Sequence, residues 1–306
     1  MAKSLQQGKR GKLWFYISIM AFPVAQFIVF WVIVNANSLL LSFKDYTINS
    51  DGVMVESFVG FDNLRQIFID IFTLDKFIYC IKNSLLFYGV SIIGGTVFSL
   101  AFSYYIYKKG LMGGFFKVML YMPHILSTMV IALMYRYFCE YGFPEMMEIF
   151  FNADIKGFGQ NELAFIIVFN LLMSFGGNML IYTGTMASIS DSIIEAAQID
   201  GVNTVQEFFH IIMPSIFSTF SLFIVTGMVT IFNGQANLFN FYGMDFDKAR
   251  KLSTFGYYIY VHVKEAGLKY QHYPELASLG LALTFMAIPL IFTCRFLLNK
   301  FGPKDE

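Results

Sequence analysis

The residues best suited to chemistry with a partner lie in a polar strip, EAAQIDGVNTVQEFFHIIMP, which runs from Glu195 to Pro214 between two long apolar stretches. The strip offers carboxylates, two adjacent alanines and a glycine, a combination that suits the docking of another protein. It holds no nucleophile and base at a spacing typical of covalent catalysis. A short hairpin would be enough to reverse the chain between two membrane spans. A polar segment of this length therefore favours a docking surface on one side of the bilayer.

Two short helices joined by a glycine are predicted within the strip. The residues Ser192 to Glu195 fit a capping box, in which a hydroxyl and a carboxylate satisfy each other's backbone amides. Gly201 suits a left-handed helix end, where a side chain would be strained. The candidates for the cap of the second helix are Asn203 or Thr204, matched by Gln206 or Glu207.

The two faces of this predicted hairpin differ in character. The small Ala196–Ala197 pair allows a partner backbone to approach closely, and Glu195 and Asp200 offer charges. The apolar residues expected to hold the second helix against the membrane body are Phe208, Phe209, Ile211 and Ile212. Pro214 is expected to open the next span, where its missing amide is tolerated. The residues alone leave a second interpretation open, an amphipathic hairpin at the membrane interface without a partner.

The composition is typical of a membrane protein. The 306 residues are 57% apolar and only 14% charged, whereas a soluble domain is usually about 25% charged. A net charge of zero provides no basic field for nucleic acid, and the three cysteines show neither metal nor disulfide spacing. A hydrocarbon core of about 30 Å needs roughly 20 helical residues. We predict an all-α fold with six transmembrane helices, at residues 13–36, 80–106, 115–138, 162–186, 215–240 and 276–298.

The orientation of these spans is only partly indicated by charge. Six spans place both termini on the same side, and Lys and Arg near span ends mark the cytoplasm. The N-terminal residues 1–12 and the loop 107–116 are basic and contain no acid. The loop 187–214 contains no Lys or Arg at all, so charge alone leaves its side of the membrane open.

The polar strip closely resembles the EAA loop of binding-protein-dependent ABC importer permeases. The residues that match its pattern, E-A-A-x-x-D-G closed by an apolar residue and a proline, are Glu195, Ala196, Ala197, Asp200, Gly201, Ile211 and Pro214. Shorter segments are similar to the carbohydrate branch of this family, namely Phe58–Asn63, Lys82–Leu85, Met122–Pro123 and Asn178–Leu180. Met213 and Val202 depart from the usual Leu and Ala, and both changes in volume are small.

The resemblance implies a type I ABC importer permease fold with cytoplasmic coupling helices. It implies a permease domain at 13–298, cytoplasmic tails at 1–12 and 299–306, and a coupling loop at 187–214 whose matching residues contact a cytoplasmic ABC ATPase present in two copies. The chain has no GxxxxGK[ST] phosphate loop. We therefore expect no enzyme activity and no cofactor in this chain, with ATP and Mg bound by the partner ATPase.

The same resemblance implies the remaining partners and the location. A related second permease is expected to form a heterodimer with this chain. An extracytoplasmic solute-binding protein is expected to deliver a carbohydrate, most simply an oligosaccharide. The complex is expected in the bacterial inner membrane, in contact with lipid, with both termini cytoplasmic and without nucleic acid.

Polar residues inside spans predict the solute path, because they are costly to place there without a function. Amides both donate and accept hydrogen bonds, which suits sugar hydroxyls, and aromatic faces stack on sugar rings. The candidates are Asn178, Asn233, Gln235, Asn237, Tyr135 and Phe239. The alternative for each is packing and hydrogen bonding between helices. His124 is expected to be a hydrogen-bonded structural residue, since the spans lack the acids of a proton relay.

Two other functions remain open from the sequence. One is a secondary transporter or channel for a small polar solute, although the lack of charge inside the spans argues against ion coupling. The other is a membrane scaffold subunit without a solute path of its own.

Overall fold

The computed structural model describes residues 2–49, 54–266 and 272–303. The expected tails at 1–12 and 299–306 therefore lie partly outside the described residues. Most of the described chain is helical, which confirms the predicted fold class.

The helices follow one another along the chain with few strands between them. They are α1 Ala2–Phe27, α2 Val34–Leu41, α3 Asp62–Thr73, α4 Asp75–Val90, α5 Thr96–Tyr107, α6 Gly113–Ile125, α7 Thr128–Tyr137, α8 Phe143–Phe151, α9 Glu162–Met186, α10 Asp191–Ile199, α11 Thr204–Glu207, α12 Met213–Ser215, α13 Phe217–Asn233, α14 Leu238–Tyr242, α15 Phe246–Ala249, α16 Phe255–Ala266 and α17 Tyr273–Phe301. Wider π-helical turns continue several of them, at Ile28–Ile33, Ser91–Gly95, Phe138–Gly142 and Phe208–Ile212. Short 3₁₀ turns lie at Phe158–Gln160 and Arg250–Leu252, and the strands are β1 Lys44–Ile48 and β2 Met54–Phe58.

Four described helices are long and apolar enough to cross a membrane as single rods. They are Trp14–Leu41, Asp75–Tyr107, Glu162–Met186 and Tyr273–Phe301. They correspond to the first, second, fourth and sixth predicted spans. Two bent helix pairs raise the number to six if each pair is one span.

The third predicted span is bent rather than straight. Its two parts, Gly113–Ile125 and Thr128–Phe151, meet at an angle of 100°. Pro123 lies inside α6 and lacks the amide that would continue the hydrogen-bond ladder. The backbone then turns extended at Leu126 and Ser127. The prediction of one continuous helix at 115–138 was therefore wrong at this point.

The fifth predicted span begins directly after a bend and ends earlier than predicted. Thr204–Ser215 and Phe217–Asn233 meet at 70°, and Pro214 lies in the turn before this bend rather than at the start of the span. The helix ends at Asn233 and not at residue 240, because Gly234 is extended and Ala236 and Asn237 are left-handed.

The chain divides into two compact units, residues 1–69 with 262–282, and residues 70–261 with 283–306. The first unit contains the antiparallel pair of β1 and β2, whose connecting residues 50–53 lie outside the described chain. The side-chain amide of Asn63 donates to the carbonyls of Ser42 and Lys44, and Lys44 forms an ion pair of 2.6 Å with Glu56. These contacts support a two-stranded hairpin that would be marginal alone. Hydropathy did not predict it.

The second unit is built on close contact between α5 and α9. Ser99 Oγ donates to the carbonyl of Phe175 at 3.0 Å, and Ser103 Oγ donates to that of Met179 at 2.9 Å. A Cβ on Gly95 would lie 2.5 Å from Ser174 Oγ. Small and hydroxyl residues allow this approach, as in membrane helix pairs generally.

Candidate functional site

Residues 187–214, which we call the coupling segment after their predicted role, fold as two short helices with a tight turn between them. The first of them is α10, and its N-cap is Ser190, which makes no side-chain capping bond. Ser192 instead lies inside the first turn, with its hydroxyl 2.7 Å from that of Ser190. The predicted capping box at Ser192–Glu195 was therefore wrong.

Gly201 ends α10 in the left-handed conformation, with φ of +77°. The amide of Gly201 donates to the carbonyl of Gln198, and that of Val202 donates to Ala197. These two bonds form a Schellman motif, which satisfies carbonyls that a helix end otherwise leaves unpaired. A Cβ on Gly201 would meet no atom of this chain within 4 Å. The position needs glycine for its backbone conformation and not for space inside the chain.

Asn203 begins α11 with the capping box that the sequence predicts. Its Oδ1 accepts from the amide of Gln206 at 2.9 Å, and the Gln206 side chain accepts from the amide of Asn203 at 3.1 Å. The turn between α10 and α11 is thus fixed from both sides, which makes the segment stiff.

One side of the segment packs against the rest of this chain, and the other side is exposed. Ile194 and Ile212 join a hydrophobic cluster with Tyr182 and Met186. Ala197 is buried as well, while Ile211 and Pro214 are half-buried. The exposed residues Glu195, Ala196, Ile199, Asp200 and Val205 form what we call the docking face. Ile199 is 86% exposed. Phe209 is exposed too, contrary to its predicted role in holding the second helix.

An ion pair that the sequence did not predict, between a buried carboxylate and a partly exposed lysine, links the segment to α5. Glu207 is 3% exposed, and its carboxylate accepts from Lys108 Nζ at 2.9 and 3.0 Å. The hydroxyl of Tyr104 lies 3.1 Å from the same carboxylate and 3.1 Å from the carbonyl of Thr204. The sequence offered two weak signals for this pair. Glu207 is an acid followed by apolar residues, and Lys108 lies just after the second predicted span.

A cavity of about 320 Å³ in the second unit brings several polar side chains together. Its polar lining consists of Ser84, Tyr88, Ser91, Thr96, Asn170, Ser174, Asn178, Thr230, Asn237 and Thr254. Of the predicted path residues, Asn178 and Asn237 are in this lining. The lining thus combines apolar side chains with amides and hydroxyls, the kind of groups that hydrogen-bond sugar hydroxyls. Two of the amides, Asn170 and Asn237, already bond to the protein itself.

The other four predicted path residues lie elsewhere. Tyr135 donates its hydroxyl to the carbonyl of Phe165 at 2.9 Å and packs in a hydrophobic cluster. Phe239 packs edge-on against Tyr260 at 4.9 Å. Asn233 is exposed at the end of α13, and Gln235 is half-buried in the turn that follows. The structure does not place these four side chains at the cavity wall.

His124 accepts a hydrogen bond from the backbone amide of Gly177 through Nε2 at 2.9 Å. A Cβ on Gly176 would lie 2.5 Å from the carbonyl of Leu120, so α6 and α9 touch at this point. The predicted structural role of His124 is confirmed. Among the described residues, no group of three or more His, Cys, Asp or Glu is suited to hold a metal ion.

Four described helices, or six spans if each bent pair counts as one, are long and apolar enough to cross a membrane, which is typical of a multi-pass membrane protein. Residues 91–304 match the family described as binding-protein-dependent transport system inner membrane component. The chain belongs to this family, which confirms the expectation from the polar strip.

Curated relatives agree with this assignment. The chain is 26% identical over 210 residues to a probable ABC transporter permease protein of Mycoplasma pneumoniae, covering 63% of this chain and 62% of that one. It is 22% identical over 295 residues to the polygalacturonan/rhamnogalacturonan transport system permease protein of Bacillus subtilis, covering 94% and 88%. It is 29% identical over 182 residues to the sn-glycerol-3-phosphate transport system permease protein of Shigella dysenteriae serotype 1, covering 57% and 59%. The first and third matches span about three fifths of the relatives' own lengths.

Solved structures establish the fold. A bacterial alginate ABC transporter, in complex with an alginate pentasaccharide-bound periplasmic protein, contains a chain with a TM-score of 0.71 and 19% identity, covering 94% of both chains. A bacterial ABC transporter involved in the import of alginate gives a TM-score of 0.72 and 19% identity, covering 97% of this chain and 99% of that one. The ABC importer permease fold is confirmed.

Proposed function

We propose that this chain is the membrane-spanning subunit of an ATP-driven importer and that its coupling segment docks on a cytoplasmic ABC ATPase. The observation that carries the proposal is a stiff protrusion with a free docking face. A segment that transmits movement must be rigid and firmly attached. The Schellman motif at Gly201 and the capping box at Asn203 supply rigidity, and the ion pair of the buried Glu207 with Lys108 supplies attachment.

The cargo we propose is a carbohydrate, delivered by an extracytoplasmic solute-binding protein. The amides and hydroxyls in the cavity lining support this, as does a relative named for polygalacturonan/rhamnogalacturonan transport. A related second permease completes the path, and ATP and Mg are bound by the ATPase. With the docking face in the cytoplasm, six spans place both termini there in the bacterial inner membrane. Family membership favours this function over the channel and scaffold alternatives.

The conformation of Gly201 allows a test that separates docking from folding strain. Alanine in a left-handed position costs roughly 1–2 kcal/mol, whereas aspartate tolerates that conformation better. If strain alone mattered, Gly201→Ala would do at least as much harm as Gly201→Asp. If the docking face meets an ATPase, Gly201→Asp does more harm, because it adds bulk and charge next to Asp200 where this chain itself leaves open space.

The measurement is ATP hydrolysis by the complex purified from membranes of the native host through a tag on this chain. We expect the rate of ATP hydrolysis that co-purifies with Gly201→Asp to fall at least tenfold. The rate with Gly201→Ala should fall less. Gly60→Ala is the control, since Gly60 also has a positive φ and open space around it. Normal hydrolysis and solute uptake with Gly201→Asp would overturn the proposal.

A further inference from the structure

Two consecutive residues at the cavity wall hold a backbone conformation that is rare for their types. Ala236 has φ of +48° and Asn237 has φ of +56°, in the break between α13 and α14. Asparagine tolerates the left-handed region, but alanine does not favour it because its Cβ approaches the following carbonyl oxygen. Such a conformation persists only where the surroundings determine it.

A single side chain on the neighbouring helix α9 makes the contacts that determine it. Asn170 Nδ2 donates to the carbonyl of Ala236 at 2.9 Å and to that of Ile166 at 2.8 Å. Asn170 Oδ1 accepts from Asn237 Nδ2 at 2.9 Å. Asn237 Oδ1 in turn accepts from Asn240 Nδ2 at 3.1 Å. Both amide hydrogens of Asn170 are therefore used inside the protein, although the residue lines the cavity.

The start of the same break is held independently. Thr254 is buried, and its hydroxyl donates to the carbonyl of Gly234 at 2.8 Å. A Cβ on Gly256 would overlap the carbonyl of Asn233, so α16 packs directly against the end of α13. The first half of the break is thus fixed by close packing. The left-handed second half depends on Asn170.

We propose that Asn170 is a positioning residue: it clamps Ala236 and Asn237 in the left-handed form and thereby fixes the shape of the cavity wall that the solute meets. The inference deepens the proposed function, since it concerns the same cavity. It assigns Asn170 to the protein's own backbone and not to the solute. Without the clamp, the strained pair relaxes and the wall becomes mobile.

The sharpest test is a rescue by glycine. Glycine adopts the left-handed region without a steric penalty, so Ala236→Gly lowers the need for a clamp. If Asn170 acts on the backbone, Ala236→Gly restores what Asn170→Ala loses. A residue that acted by touching solute would not be rescued in this way.

The readout is the rate at which N-ethylmaleimide alkylates Thr230→Cys, a cavity-lining position, in the purified complex in lipid nanodiscs. Cys80 and Cys139 are buried, and Cys294 is replaced by serine in the background. We expect Asn170→Ala to raise the rate at least fivefold and the Asn170→Ala/Ala236→Gly pair to return it to within twofold of the starting value.

Matched variants complete the design. Asn170→Asp keeps an acceptor for Asn237 but cannot donate to Ala236, so it should also raise the rate and should respond to Ala236→Gly. This variant decides the matter if Asn170→Ala fails to assemble. Asn178→Ala removes a cavity-lining amide that makes none of the three clamp contacts, and any change it causes should not be reversed by Ala236→Gly.

Unchanged labelling in both Asn170 variants, or no rescue by Ala236→Gly, would overturn the clamp. The labelling assay needs neither solute nor ATP. If it responds as expected while the complex imports no carbohydrate, the clamp stands and the proposed function fails.

Discussion

Removing the positive partner of Glu207 should loosen the coupling segment without touching the docking face. Lys108→Met keeps most of the aliphatic stem, which packs as before, but leaves the carboxylate of Glu207 without its cation. The hydroxyl of Tyr104 remains as a donor. The segment should therefore stay folded but open more often.

The size of the effect follows from burial. An exposed ion pair contributes about 0–1 kcal/mol, and breaking a fully buried one costs about 3–5 kcal/mol. The side chain of Glu207 is 4% exposed and that of Lys108 is 32% exposed, so this pair lies between the limits. We expect a cost of about 2 kcal/mol, which is roughly a 30-fold change in the opening equilibrium.

Hydrogen–deuterium exchange of the amides in α10 and α11, measured on the purified complex, reads this equilibrium. Lys108→Met should speed their exchange roughly 30-fold. Lys117→Met removes an exposed lysine on α6 and serves as the control. Adding Glu207→Gln to Lys108→Met removes the unpaired buried charge and should slow the exchange again. If the double variant exchanges as fast as Lys108→Met or faster, the pair is not what anchors the segment.

Two further predictions concern other contacts. Gly256→Ala should lower the thermal unfolding temperature of the complex through overpacking of about 1–3 kcal/mol, because its Cβ would overlap the carbonyl of Asn233. Gly184→Ala, where a Cβ meets open space, should leave that temperature nearly unchanged, and equal behaviour of the two variants would contradict the packing seen here. Asn203→Ala removes an N-cap worth roughly 1 kcal/mol and should speed amide exchange in α11 about fivefold. Exchange at the original rate would mean that the capping box does not hold this helix.

Local sequence signals were enough to predict the turn of the coupling segment. Gly201 and Asn203 act through bonds to residues within four positions, so their types and spacing carry the information. The same logic failed at Ser192, because Ser190 also fits a helix start and the pattern cannot choose between them. The resemblance of this short segment to the EAA loop indicated the family, and the family in turn implied the fold of the whole chain.

Long-range contacts were not predictable in the same way. The burial of Glu207 depends on Lys108, a residue about a hundred positions earlier in the chain. The left-handed pair at Ala236 and Asn237 has no local signal, since alanine ordinarily favours a helix, and the contact that fixes it comes from Asn170. Hydropathy found the spans because it averages over many residues. The same averaging hides a bend, which depends on one or two residues.

The coupling segment and the cavity are joined by one stretch of helix. Tyr104, near the end of α5, contacts the carboxylate that anchors the segment, while Thr96, at the start of α5, lines the cavity. These residues are about 12 Å apart at 1.5 Å per helical residue. Between them, Ser99 and Ser103 bind carbonyls of α9, the helix that carries both Asn170 and Asn178. The coupling segment is therefore connected to residues in two walls of the cavity, through α5 and its hydrogen bonds to α9.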